Sequence, residues 1–217
     1  AVHSGLAMGS IALLGDDEQK QRWLPEMAAL RKLGAFALTE PGSGSDAAAM
    51  RTTVAGNKDG YILNGSKLFT TNAEEAGVFV VLATHDRDLR SKGISALVVE
   101  PGTDGFTINP QHGKMGMRAT STAELVFEDC AVPCSALLGG EREGFAETME
   151  ILNSSRIGIA AQSVGLAQAA YEAAVQDPRC ERLDVPRCRF QVPRRVGEHL
   201  RRKSRQGDAT DQGAADD

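Results

Sequence analysis

The chain has 217 residues, of which 41% are hydrophobic, enough for a real core and for one or two domains. Its 24 Lys and Arg residues against 29 Asp and Glu give a formal net charge of −5, which argues against a general nucleic-acid-binding protein. No apolar run approaches the roughly 20 residues of a membrane span, so we expect a soluble intracellular protein. No CxxC pair occurs and the histidines are scattered, so no metal site is predicted.

Residues 1–33 are predicted to be helical. Gly15 followed by the acidic residues 16–18 is typical of a helix start, with Asp17 as the candidate N-cap, and Pro25 is expected to bend or close that helix. Apolar residues mixed with small ones precede this start, a composition that favours a buried helix.

Residues 34–137 change to the alternation and turn chemistry of β-structure. Short apolar segments are separated by turn signals such as Asn57 to Gly60 and Asn64-Gly65. Many short strands of this kind indicate a β-barrel or a sandwich of about 100 residues. We predict a mixed α and β fold with a β-barrel as its middle domain. Its strands are expected at 34–39, 61–63, 67–70, 78–83, 94–99 and 123–127.

Residues 138–177 are predicted to begin a second helical domain, because apolar residues recur there at spacings of three and four from Phe145 to Ala170. Residues 178–217 differ sharply in composition, with nine arginines and one lysine against seven acidic residues and with three prolines. We interpret this irregular basic tail as disordered, or as the product of a frameshift near residue 177. A genuine short variant with a functional basic tail is the competing explanation.

The segment 36–46, FALTEPGSGSD, leads from a predicted strand into a loop with two glycines and several hydroxyl groups. Because glycine has no Cβ, such a loop can bring its backbone against a flat polar ligand or a phosphate. Taken alone, it can equally be an ordinary Gly/Ser turn. It matches neither G-x-G-x-x-G nor the Walker phosphate loop, so nucleotide binding by those two mechanisms is unsupported.

Seven segments occur in a characteristic order, at 18–25, 36–46, 63–72, 92–96, 114–118, 124–129 and 156–160. Together they make the chain resemble the acyl-CoA dehydrogenase family, most closely its short-chain, butyryl-type members. The resemblance covers residues 1–177, and its short-chain leaning depends on 84–89 and 121–123.

The resemblance implies an FAD flavoprotein that introduces a 2,3-double bond into a fatty acyl-CoA thioester. In the family a glutamate removes the α-proton while the β-hydrogen leaves as hydride to the flavin, and electrons then pass to an electron-transferring flavoprotein. It further implies a homo-oligomer, a dimer or a tetramer, with no nucleic-acid or membrane partner. The bacterial cytoplasm is the preferred compartment and the mitochondrial matrix the alternative.

The family's site residues transfer to matching positions of this chain. Thr71 lies where the family places a hydroxyl near the flavin N5, and Phe69 replaces a frequent Trp. Thr120 lies where members often have a Ser that contacts CoA, and Asn153 replaces an acidic residue. The implied FAD-binding residues are Phe36, Leu38, Thr39, Gly44, Ser45, Phe69, Thr70 and Thr71. The implied substrate-binding residues are Ser45, Thr120, Asn153 and Arg156.

No catalytic residue is assigned, because the family's base glutamate has no counterpart in the sequence. In most members it lies beyond the position of residue 177, and in some it lies beside the Arg that corresponds to Arg156, where this chain has Ser155. We therefore expect an incomplete and inactive dehydrogenase fragment. Glu40 and Glu150 are the acidic residues to consider as substitute bases. The alternative is a non-catalytic remnant that binds FAD or CoA, or an interaction module with a basic tail.

Overall fold

A computed structural model describes residues 2–176 of the chain, with side chains up to residue 174. The chain divides into two compact units, residues 1–161 and 162–217, and only the helical residues 162–176 of the second unit are described. The basic tail predicted for residues 178–217 therefore lies outside the described residues.

Helical structure opens the first unit, as the sequence predicts. A capping box starts α2: the Asp16 carboxylate accepts the Gln19 amide at 2.8 Å, and the Gln19 side chain accepts the Asp16 amide at 2.9 Å. The N-cap is thus Asp16 rather than the predicted Asp17. Pro25 lies inside α2, which ends three residues later. The elements are a π-helical segment Val2–Met8, α1 Gly9–Leu14 and α2 Asp17–Ala28.

Eight strands form a single mixed sheet. Its order is β6-β7-β3-β2-β4-β5-β8, and β1 also pairs in parallel with β4. The strands are β1 Leu33–Ala37, β2 Thr53–Gly56, β3 Gly60–Thr71, β4 Ala76–Thr84, β5 Ile94–Val99, β6 Phe106–Pro110, β7 Thr122–Pro133 and β8 Leu137–Leu138.

The predicted closed barrel is wrong. Among the described residues, the hydrogen-bonded path through the sheet runs from β6 to β8, and these two end strands do not pair with each other. The path ends at β8, which has only two residues and therefore offers little backbone on which a further strand could continue the ladder. The predicted order of helices, strands and a long helix is confirmed.

Strand β4 is apolar from Val78 to Ala83 because this part of the strand is buried on both faces. Phe79 and Val81 belong to one core cluster, formed between parts of the curved sheet. Val80 and Leu82 belong to a second cluster, where α1 and α2 cover the other face with residues such as Trp23. The first helices therefore cover one side of the hydrophobic core of the first unit.

The predicted turn at Asn64-Gly65 is also wrong, since both residues lie inside the 12-residue strand β3. Gly65 has φ +142°, and a Cβ at this position would come within 2.7 Å of the Thr52 Cα. Glycine therefore allows β3 to lie close to the backbone at Thr52, at the point where the register of β3 against β7 shifts. It does not form a hairpin turn.

The last described element is the helix α3 Gly144–Gln176. Its first turns pack on the opening helical segment, where a Cβ on Gly9 would lie 3.7 Å from the Ile151 side chain. Every residue from 156 to 170 is exposed. No helix among the described residues is long and apolar enough to cross a membrane.

Gln19 links α2 to the end of the sheet, which gives a test of this packing. Its amide donates to the carbonyls of Ser135 and Leu137 at 2.9 and 2.7 Å. We expect Gln19→Ala to lower the free energy of unfolding by about 2–3 kcal/mol, because it removes a cap and leaves two carbonyls without their donor. Urea denaturation followed by circular dichroism measures the loss.

The matched control is Gln21→Ala on the exposed face of the same helix. It makes the same change of helix propensity and is expected to stay within about 0.5 kcal/mol of the unmodified protein. Equal losses in the two variants would contradict the role given to Gln19.

Candidate functional site

The Gly/Ser loop follows β1 directly and closes on itself. The Glu40 amide donates to the Ser43 carbonyl at 2.9 Å, and the Ser43 amide returns the bond at 3.1 Å, so that Pro41 and Gly42 form a tight turn. The Ser43 hydroxyl then donates to the Asp46 carbonyl at 2.8 Å. These local bonds give the loop a defined shape.

The loop crosses β3 within hydrogen-bond distance. The Leu68 amide donates to the Thr39 carbonyl at 2.8 Å, and the Asn72 side chain donates to the Gly34 carbonyl at 3.3 Å. The structure thereby brings together the two segments predicted to bind a cofactor, 36–45 and 69–71, which are separated by more than twenty residues of sequence.

A bulge in β3 sets the direction of the side chains at this crossing. Phe69 has φ +56°, and the pairing of β3 with β7 shifts between Lys67 and Thr70. The extra residue turns both Lys67 and Thr70 into the interior, while Phe69 points outward with 63% of its surface exposed. An outward phenyl ring therefore lies next to the loop.

A fully buried ion pair lies beneath the loop. The Lys67 ammonium contacts Glu40 Oε1 at 2.7 Å and the Leu38 carbonyl at 3.2 Å, and neither charged side chain is more than 4% exposed. The Glu40 carboxylate also accepts the backbone amides of Arg51 at 2.5 Å and Thr52 at 3.0 Å. Three separate segments meet at this pair.

The electrostatics of the pair balance burial against attraction. Burial lowers the pKa of Lys67 to about 8, although the charge of Glu40 opposes the change. Burial raises the pKa of Glu40, but Lys67 and the groups that donate to the carboxylate outweigh it and bring the pKa below its ordinary value. Glu40 is engaged by Lys67 and two backbone amides instead of being free to act as a base.

The predicted cofactor residues divide into an open and a buried set. Gly44 and Ser45 are exposed, and a Cβ on Gly44 would meet no atom within 4 Å. Phe36 is only 8% exposed, in the core below α1 and α2, and Thr70 is 1% exposed. The side chains of Phe36 and Thr70 thus do not reach the surface that carries Phe69.

Several hydroxyl groups around the crossing are free for a ligand. Within the part of the chain that the structure describes, no residue forms a hydrogen bond with the side-chain hydroxyl of Thr39, Ser45 or Thr71. Thr71 is half-buried and Ser45 is exposed. Free hydroxyls beside an outward aromatic ring suit a planar ligand with polar edges.

The predicted substrate residues lie at two places. Thr120 is close to the crossing, because the adjacent Ser121 carbonyl accepts the Asn72 amide at 3.0 Å. Asn153 and Arg156 are both exposed on α3, and the guanidinium donates to the Asn153 amide oxygen one turn earlier. Among the described residues, no hydrogen bond or ion pair joins the side chains of this pair to the loop or to β3.

Sequence reasoning missed the ion pair itself. Lys67 and Glu40 both fall within the segments that carry the family resemblance, yet Lys67 was assigned no role and Glu40 was considered only as a substitute base. The available signal was a lysine on a predicted strand whose inward neighbours are apolar, since a lysine at such a position requires a buried acidic partner. The bulge at Phe69 hides this signal by disturbing the strand alternation.

Comparison with known proteins matches two family descriptions. "Acyl-CoA dehydrogenase, middle domain" matches residues 35–130, and "Acyl-CoA dehydrogenase, N-terminal domain" matches residues 1–31. The chain belongs to the acyl-CoA dehydrogenase family.

Individual relatives agree with this family assignment. The mitochondrial short-chain specific acyl-CoA dehydrogenase of Homo sapiens is 46% identical over 175 residues, covering 81% of this chain and 42% of the human protein. Butyryl-CoA dehydrogenase from Megasphaera elsdenii superposes with a TM-score of 0.79 at 38% identity, over 96% of this chain and 54% of that one. The chain thus spans about half the length of these relatives.

An acyl-CoA dehydrogenase from Bacillus anthracis, solved in complex with FAD, superposes with a TM-score of 0.76 at 40% identity. The superposition covers 81% of this chain and 30% of the Bacillus protein.

Replacing Thr70 tests whether the bulge in β3 turns this side chain into the interior. Its hydroxyl is buried and has no hydrogen-bond partner within residues 2–176. We expect Thr70→Val to raise the free energy of unfolding by about 1 kcal/mol, because the variant keeps the shape and removes an unsatisfied polar group. Thermal and urea denaturation measure the gain, and a loss of stability would show that the hydroxyl has a partner.

Proposed function

We propose that this chain forms the N-terminal and middle parts of an FAD-dependent acyl-CoA dehydrogenase that acts on short-chain acyl-CoA thioesters. The observation that carries the proposal is the hydrogen bond between the Thr39 carbonyl and the Leu68 amide, which joins the family's two flavin segments at one surface. Residues 1–33 would be the end of the N-terminal helical domain, 34–137 the middle domain and 138–177 the first helix of the C-terminal domain.

The residues at the crossing fit an FAD molecule. The exposed ring of Phe69 offers a stacking surface for the isoalloxazine, and the free hydroxyl of Thr71 offers a hydrogen bond to its edge. The open space over Gly44 and the exposed Ser45 suit a pyrophosphate. When bound, FAD would supply the acceptor for the hydride that leaves the substrate β-carbon. Leu38 and Thr39 would present backbone groups, and Phe36 and Thr70 would support the site from within.

The thioester substrate is assigned to the same face of the loop. Ser45 and Thr120 would contact its CoA portion, and Asn153 and Arg156 would meet it from α3. An electron-transferring flavoprotein would reoxidise the flavin, and the intact enzyme would be a homo-oligomer of the bacterial cytoplasm or the mitochondrial matrix. The family resemblance supports these partners, and no contact among the described residues bears on them.

FAD binding tests the proposal directly. We expect the purified chain to quench added FAD fluorescence on binding, and Thr71→Val to weaken that binding by about 3- to 10-fold, because one hydroxyl donor is lost. Thr107→Val is the matched control, since it removes an exposed hydroxyl on β6 that the proposal does not assign to the flavin. A chain that binds no FAD would contradict the proposal, and equal effects of the two variants would remove Thr71 from the site.

Catalysis is expected to fail in the 217-residue chain by itself. Ser155 stands at one family position of the base, and Glu40 is held by Lys67 and two backbone amides. A positioned base contributes about 10²–10⁴-fold to rate, so we expect no measurable dehydrogenation of butyryl-CoA. The measurement is anaerobic bleaching of the flavin absorbance after FAD reconstitution. Rapid stoichiometric bleaching would show that another residue acts as the base. Glu150 would be the first residue to replace.

A further inference from the structure

The buried pair of Lys67 and Glu40 is costly, and its position indicates what it does. Removing two charges from water carries a penalty that their attraction repays only when the remaining hydrogen-bonding groups are satisfied. Here they are satisfied: the ammonium reaches a carboxylate and a carbonyl, and each carboxylate oxygen accepts a backbone amide. Apolar residues could fill the same volume, so stability alone gives no reason for charges at this position.

All partners of the pair lie on segments that shape the proposed flavin surface. Lys67 holds the carbonyl of Leu38, and the next residue along β3 holds the carbonyl of Thr39. Glu40 holds the amides of Arg51 and Thr52, where the chain returns to the sheet after the loop. Both ends of the loop are therefore tied to one point on β3.

The same point on β3 also carries the outward ring. The bulge that turns Lys67 inward turns Phe69 outward, two residues later. If Lys67 moved toward or away from the loop, the distance between the loop backbone and the Phe69 ring would therefore change. These two surfaces contact the flavin from different segments in the proposed function.

We infer that Lys67 and Glu40 are positioning residues that fix the Leu38–Glu40 backbone relative to Phe69, so that loop and ring present one preformed flavin-binding surface. This inference rests on the FAD-binding function proposed above. The pair touches neither flavin nor substrate, and its effect is transmitted by backbone groups, chiefly the Leu38 carbonyl.

The decisive variant replaces both charges, Glu40→Gln with Lys67→Met. Single replacements leave one buried charge without its partner and are expected to destabilise the whole fold, which would obscure the local effect. The double variant is neutral and similar in volume, but its residue 67 cannot donate to the Leu38 carbonyl. The matched controls are Lys58→Met, an exposed lysine, and Val99→Ala, a core truncation on β5.

Two measurements on the full chain separate positioning from general stability. Hydrogen exchange should be about tenfold faster in the double variant at the amides of Arg51 and Thr52 and across the loop 38–46, without a matching increase in β4 and β5. The FAD dissociation constant should rise about 3- to 10-fold. Val99→Ala should accelerate exchange broadly, and Lys58→Met should change neither quantity.

The possible outcomes distinguish a failure of the inference from a failure of the proposed function. Unchanged loop exchange and unchanged FAD affinity in the double variant would overturn the inference, as would a loss of affinity equal to that of Val99→Ala at the same stability. If the unmodified chain binds no FAD, the proposed function fails, and loop exchange alone decides whether the pair fixes this backbone.

Discussion

The buried contact between Lys67 and Glu40 joins three segments that are distant in the sequence: the loop after β1, the return to β2 and the bulged strand β3. Each charge is acceptable in the interior only because the other is present and because backbone groups complete their hydrogen bonding. The free energy of the pair is therefore tied to one arrangement of the backbone. A loop rich in glycine and serine would otherwise have many conformations of similar energy.

The sheet provides the rigid support for this contact. Its strand β4 is buried on both faces, with the opening helices packed on one side and a curved sheet core on the other. β1 lies in parallel beside β4, and the loop follows directly from this buried strand. The loop residues are thus held at both ends by hydrogen bonds to buried parts of the fold.

Exposed and buried side chains lie close together in the sequence at the candidate site. Phe69 and Ser45 face outward, whereas Phe36 and Thr70, from the same two segments, face the interior. A motif matched by sequence contains both kinds of residue, and the match alone does not separate a ligand contact from the residue that supports it. The direction of each side chain separates them, and at β3 that direction depends on one bulge.

The sequence by itself determined the family, the order of helices and strands, and the two segments that meet at the candidate site. Its local signals suffice for these because hydrophobic period, turn residues and motif order are properties of neighbouring residues. Only the tertiary structure decided that the sheet stays open, that Asn64-Gly65 continues a strand, and that Lys67 meets Glu40. Those features depend on edge-strand length, on a close approach between strands and on a positive φ at Phe69, which arise from contacts between residues far apart in the chain.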